Sequence, residues 1–138
     1  MREELNHLKY GDELIPITCN INVLEIIQKK YGSFDKWSEL IAPDYDEENK
    51  TLAEPDYAAI KFGYAAMINE GIDIENEMKG ESKPFKTEKQ VARIISYIGI
   101  EAVSAQMAGE IEDFAPESDG DDITELNPDD EDDEELKN

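Results

Sequence analysis

The sequence divides sharply at residue 114, and that division limits what can fold. Residues 115–138 hold 12 acidic side chains, one basic side chain and only three of the types Leu, Ile, Val and Phe. Residues 1–114 hold 23 acidic and 12 basic side chains, with 28 of those four apolar types. The formal charge of -22 is therefore shared equally, -11 on each side of the cut. A segment with so little apolar area to bury cannot offset the entropy of ordering its backbone. One folded domain over 1–114 and a disordered acidic tail over 115–138 are expected.

A chain of this charge repels nucleic-acid backbones and anionic membrane surfaces, so neither is expected as a partner. A body of 114 residues can bury one modest core without staples. The single cysteine, Cys19, rules out an intramolecular disulfide, and no Cys/His cluster has zinc-ligand spacing. No apolar run reaches the roughly 18 residues of a membrane span, and Met1-Arg2-Glu3-Glu4 lacks the opening of a signal peptide. Cytoplasmic location, in a reducing compartment, is the expectation.

The pattern along the body is mainly α, a small domain of four to five helices preceded by a β-hairpin. Apolar segments on both sides of Tyr10-Gly11-Asp12-Glu13 predict the hairpin over about residues 5–18, with Pro16 on an edge. Asn20 is a good cap for a helix from Ile21 to Tyr31, stopped by Gly32 and largely buried through Val23, Leu24, Ile27 and Tyr31, with Ile21 and Ile26 widening the arc. Ser33 caps a short helix carrying Phe34, Trp37, Leu40 and Ile41, which Pro43 ends. Residues 44–54 read as a surface loop. Pro55 suits the first position of a third helix that Gly71 closes. One side of that helix carries Tyr57, Ile60, Tyr64, Met67 and Ile68, and the other carries Ala58, Ala59, Ala65 and Ala66 around Phe62. A loop with a short turn near Ile72–Glu75 follows. Thr87-Glu88-Lys89-Gln90 then has the form of a capping box, and Val91, Ile94, Ile95 and Ile98 make the clearest amphipathic stripe in the chain. Gly99 is a candidate break before a last helix through Val103, Met107, Ile111 and Phe114.

No catalytic, cofactor or metal residue is selected. His7 is the only histidine and is expected on the strand surface, far in sequence from Cys19, itself expected as a small buried residue. The glycines never cluster into a phosphate loop. The acidic runs beginning at Asp44 and Glu117 fail the calcium-loop pattern, because Asn49 and Asp122 stand where glycine is required and Pro55 and Pro128 where the bidentate glutamate belongs. The aromatics Trp37, Tyr57, Phe62 and Tyr64 are expected in the core, and any of them at the surface would mark a partner site. The run Asp129-Asp130-Glu131-Asp132-Asp133-Glu134-Glu135 suits solubility and shielding better than specific mimicry.

Residues 8–99 resemble the tail assembly chaperones of long-tailed phages and prophages of Gram-positive bacteria. Three stretches carry the resemblance: Tyr10-Gly11-Asp12-Glu13-Leu14-Ile15-Pro16-Ile17-Thr18 leading into the Ile21–Tyr31 helix, the helix ending Met67-Ile68-Asn69-Glu70-Gly71, and Pro84-Phe85-Lys86-Thr87-Glu88-Lys89-Gln90-Val91. The resemblance implies a non-enzymatic protein without cofactors that binds the tape measure protein, keeps it soluble, helps recruit tail tube subunits and is absent from the finished virion. Ala58, Ala59, Phe62, Ala65 and Ala66 are then the candidate partner-binding surface. The family often makes a longer product by ribosomal slippage. The codons of Leu136, Lys137 and Asn138 can form a slippery heptamer, so this chain is expected to be the short product, with the tube protein met through the longer one. The alternatives are an acidic nucleic-acid mimic inhibiting a host DNA-binding enzyme, or a general acidic helical interaction domain.

Overall fold

A computed structural model of the chain describes residues 4–43, 45–48 and 50–114. The acidic run 129–135 and the terminal residues Leu136, Lys137 and Asn138 lie outside the described residues. The described part is mainly helical with an N-terminal hairpin, in the order β1 (Asn6–Tyr10), β2 (Glu13–Ile17), α1 (Ile21–Tyr31), α2 (Phe34–Ile41), β3 (Tyr45–Asp46), β4 (Thr51–Leu52), α3 (Tyr57–Lys79), α4 (Glu88–Ile98) and α5 (Ile100–Phe114). Strands β1 and β2 pair antiparallel, with Leu8 opposite Ile15 and His7 opposite Pro16.

Local signals set the helix starts. The side chains of Asn20, Ser33, Asp56 and Thr87 each accept a hydrogen bond from a backbone N–H three residues on, and Thr87 with Gln90 completes the capping box. Helix α4 stops at Gly99, whose φ of +104° is costly for any side-chain-bearing residue, and α5 begins at the next residue.

Helix α3 is the spine, and the structure departs most from the sequence reading here. Asp56 rather than Pro55 is the boundary residue, and the helix runs through Gly71 without interruption to Lys79, where left-handed Gly80 caps it. Residues 72–79 of the segment 71–86, expected to be a loop with a short turn, are therefore two further helical turns, while 81–86 are non-helical as expected. Gly71 is buried because the hairpin crosses it, its Cα facing the backbone of Pro16 and Ile17. The Thr18 N–H donates to the Met67 carbonyl at 3.2 Å and fixes that crossing.

Residues 44–54 also differ from a plain loop, since Tyr45–Asp46 and Thr51–Leu52 form a two-residue antiparallel ladder. Helix α1 is not largely buried. Val23 and Ile27 are fully enclosed, but Ile21 is 64 % and Ile26 42 % exposed, because α2 and α3 together leave part of the helix uncovered.

The core gathers Ile15, Ile17, Val23, Ile27, Trp37, Ile60, Tyr64, Met67, Ile68, Val91, Ile94, Val103 and Met107, each essentially without exposed surface. Trp37 of α2 occupies the small-residue side of α3. Its indole N–H donates to the Ala59 carbonyl at 2.9 Å, and its ring lies over Gly63. Tyr64 reaches the other way and donates its hydroxyl to Gln106 of α5 at 2.6 Å, and burial pushes its phenol well above the usual tyrosine value.

Both faces of the hairpin are in contact. Strand alternation puts Asn6, Leu8 and Tyr10 on one face and His7 and Lys9 on the other. Asn6 donates to Glu110 of α5 at 2.6 Å, and Tyr10 meets Tyr97 of α4 edge to face at 5.2 Å. From the opposite face His7 Nε2 lies 2.8 Å from Glu75 of α3. Ile15, Pro16 and Ile17 are consequently buried in succession, which a strand covered on one side would not show.

Candidate functional site

The small-residue side of α3 is divided among three environments. Ala59 has no exposed surface and belongs to the core beneath Trp37, so it cannot contribute to a docking surface. Ala58 faces one open groove, and Phe62, Ala65 and Ala66 face another. Of the four aromatics expected inside, Trp37 and Tyr64 are enclosed, Phe62 is half-buried, and Tyr57 is 54 % exposed. Tyr57 departs from the core expectation because it opens α3 at the molecular edge, where its hydroxyl donates to Glu54 at 3.2 Å.

The first groove lies between the N-terminal half of α3 and the elbow where α4 becomes α5. Tyr57, Ala58, Ile60 and Lys61 form one wall, and Ala92, Ile95, Ser96, Gly99 and Ile100 form the other, around a cavity of about 500 Å³. The elbow makes this groove possible. A helix continued straight through residue 99 would carry Ile100 onward along the α4 axis, whereas the break at Gly99 turns it into the cavity wall.

The second groove, about 360 Å³, lies beside α1 and the segment leading into α4. Phe62, Ala65 and Ala66 form its floor, with Ile26 and Phe85 at its sides. Phe62 is held by Tyr31 edge to face at 5.7 Å and by the Lys30 ammonium 5.6 Å from its ring. Two asparagines that the sequence reading passed over hold the segment that carries Phe85, Asn69 in the groove lining and Asn76 beyond it. Asn69 exchanges two hydrogen bonds with the backbone of Lys86, at 2.8 and 3.0 Å, and Asn76 does the same with Lys83, at 3.0 Å each. Seven helical residues rise about 10.5 Å, and three extended residues span about 10 Å. The match lays segment 83–86 antiparallel along α3 and fixes Phe85 at the rim, 56 % exposed.

The titratable groups serve the fold. Cys19 is buried, and desolvation, helped by the nearby Glu110 charge, pushes its thiol up to about 11, which keeps it protonated and unreactive. His7 is exposed, as expected of a surface strand residue, but it reaches Glu75, whose side chain is almost wholly buried. Burial raises the Glu75 pKa. The hydrogen bond and charge of His7, with Lys79 at 3.5 Å, outweigh that effect and hold the carboxyl below its usual range. Glu75 lies one turn beyond Gly71 on the stripe of Ile68 and Ile72, so a reading that ended the helix at Gly71 had no reason to place it inside. A carboxyl with a lowered folded pKa stabilises the fold above its unfolded value of about 4.3, and loses that contribution as pH falls through the lower folded value. Glu75→Gln is expected to cost about 1–2 kcal/mol near pH 6. The gap in melting temperature from the parent should close as acid titrations proceed towards about pH 3; a gap that stays constant would show that the ion pair contributes nothing.

Among the described residues no group of three or more His, Cys, Asp or Glu side chains is placed to hold a metal ion, and no helix is long and apolar enough to cross a membrane. Comparison with family models, with curated proteins and with solved structures finds no match for the chain.

Proposed function

We propose that this chain is a tail assembly chaperone of a long-tailed phage or prophage, which binds the tape measure protein, keeps it soluble and helps recruit tail tube subunits. The observation that carries the reading is the open apolar groove between α3 and the α4–α5 elbow, with Tyr57 exposed at its mouth. A tape measure is a long helical chain whose apolar stripes have no partner before the tube forms. Laying such a stripe in a preformed apolar groove removes it from water and from other copies of itself. The hairpin, the α1 helix and the capped α4 helix stand in the order of the segments on which the resemblance to the family rests, whereas α3 runs on past the Gly71 end that the resemblance used.

Blocking the groove tests the proposal. Ala58 is exposed on α3, so Ala58→Arg should fold and melt like the parent while filling the cavity. Co-expressed with the tape measure protein, the full-length variant is expected to leave about tenfold less of it soluble, the equivalent of ~1.4 kcal/mol of binding. Phe62→Glu probes the second groove in the same assay. Unchanged tape-measure solubility with both variants, each still folded, would remove the docking reading.

A further inference from the structure

We infer that the second groove is a charge-selective site for a basic amphipathic helix, one with an apolar stripe flanked by lysine or arginine. This rests on the docking reading above and adds to it the chemistry of the occupant. The floor of Phe62, Ala65 and Ala66 offers apolar area between Ile26 and Phe85, in the manner of grooves that take the apolar side of a helix. The charges around it are unequal. Glu70, Asp73 and Glu88 line the groove as carboxylates; the Lys30 ammonium stands 5.6 Å from the Phe62 ring, and Lys86 is the cation in the lining. That cation is already engaged, its ammonium 2.8 Å from Glu13. Glu88 is likewise paired, with Lys61 at 3.9 Å, so the excess of negative charge rests on Glu70 and Asp73. Glu70 is held by the neutral amides of Asn20 and Asn22, at 2.8 and 2.9 Å, which orient the carboxylate without cancelling its charge.

Two features make the site selective rather than merely sticky. The segment that carries Phe85 is preorganised, since the four asparagine hydrogen bonds hold it before any ligand arrives, and a fixed wall lowers the ordering cost of binding. The excess charge lies along one side of the groove, Glu70 and Asp73 both on α3. An acidic helix would meet repulsion on that flank, while a basic one gains on it.

The test uses the full chain and two synthetic peptides of about 18 residues, five helical turns, with identical leucine stripes and either lysine or glutamate at every flanking position. Binding is followed by fluorescence anisotropy and by amide chemical shifts. The lysine peptide is expected to bind at least about tenfold more tightly than the glutamate peptide at low salt, to weaken steeply as salt rises, and to shift the amides of Ile26, Phe62, Ala66 and Phe85. Ala66→Trp, which fills the floor, should weaken it by about tenfold. Should that variant melt early, Asp73→Lys reverses charge at an exposed rim position without touching the core, and should cut the lysine-over-glutamate preference by about threefold or more. Equal binding of the two peptides at these amides would overturn the charge selectivity while leaving the groove as a docking surface. Lysine-peptide shifts confined to residues 115–138, with neither variant having any effect, would overturn the site itself.

Discussion

Trp37→Ala is expected to cost the domain about 3–5 kcal/mol, a large share of the 5–15 kcal/mol typical of a domain's whole stability. Trp37 has no exposed surface, lies 5.3 Å from Phe34 ring to ring, and is the side chain through which α2 meets the spine. An ideal Cβ on Gly63 would fall 2.8 Å from Trp37 Cε2, so the indole rests directly on helix backbone. Its removal leaves a void between α2 and α3, and it deletes the hydrogen bond to the Ala59 carbonyl. Trp37→Phe should be milder, since it keeps most of the volume and loses about 1 kcal/mol for the hydrogen bond. Urea unfolding followed by far-ultraviolet circular dichroism measures both. A loss below about 1 kcal/mol for the alanine variant would mean that α2 does not pack as described.

Gly71→Ala sets two effects of opposite sign against each other. In an unhindered helix interior the change gains up to about 1 kcal/mol of helix propensity. At residue 71 the new methyl would stand 2.8 Å from Ile17 N and Pro16 C and 2.9 Å from Pro16 O. These are backbone atoms of the hairpin and have no rotamer to change. The crossing must open, at the 1–3 kcal/mol typical of overpacking, and with it go the Thr18–Met67 hydrogen bond and the alignment of His7 with Glu75. Net destabilisation of about 2 kcal/mol is expected, with a hairpin that exchanges its amide hydrogens faster. Gly109→Ala is the internal control. It lies in α5 with nothing within 4 Å of an added Cβ, so it should stabilise by about 0.5–1 kcal/mol. Equal stabilisation by both variants would show that the hairpin does not sit on α3.

The contrast between those two glycines explains how much of the molecule could be read in advance. Capping is a matter of a side chain and an N–H three residues away, so Asn20, Ser33 and Thr87 announced their helices correctly and Gly32 its stop, while Gly99, a candidate break in the sequence, is one in the structure. Gly71 looked like the same kind of stop. It is instead a point of close approach, and only the strand lying across it, far away in sequence, distinguishes the two roles. The buried carboxyls followed suit. Glu75 and Glu110 sit on apolar stripes at helical spacing, and β1 brings a partner to each, His7 to Glu75 and Asn6 to Glu110.

The candidate site was legible in part for the same reason. The sequence marked the small-residue side of α3 as a place where something could pack closely. It could not say that Trp37 would take Ala59 for the core, leaving Ala58 to one groove and Phe62, Ala65 and Ala66 to the other.

By itself, then, the sequence determined the mainly helical class, the N-terminal hairpin and the helix caps, because each depends on residues within a turn or two of one another. Tertiary structure decided the length of the spine, the partners of the two buried carboxyls and which apolar side chains remain open to a ligand. Those outcomes depend on which distant surfaces meet, and periodicity along one segment carries no record of the segment that will cover it.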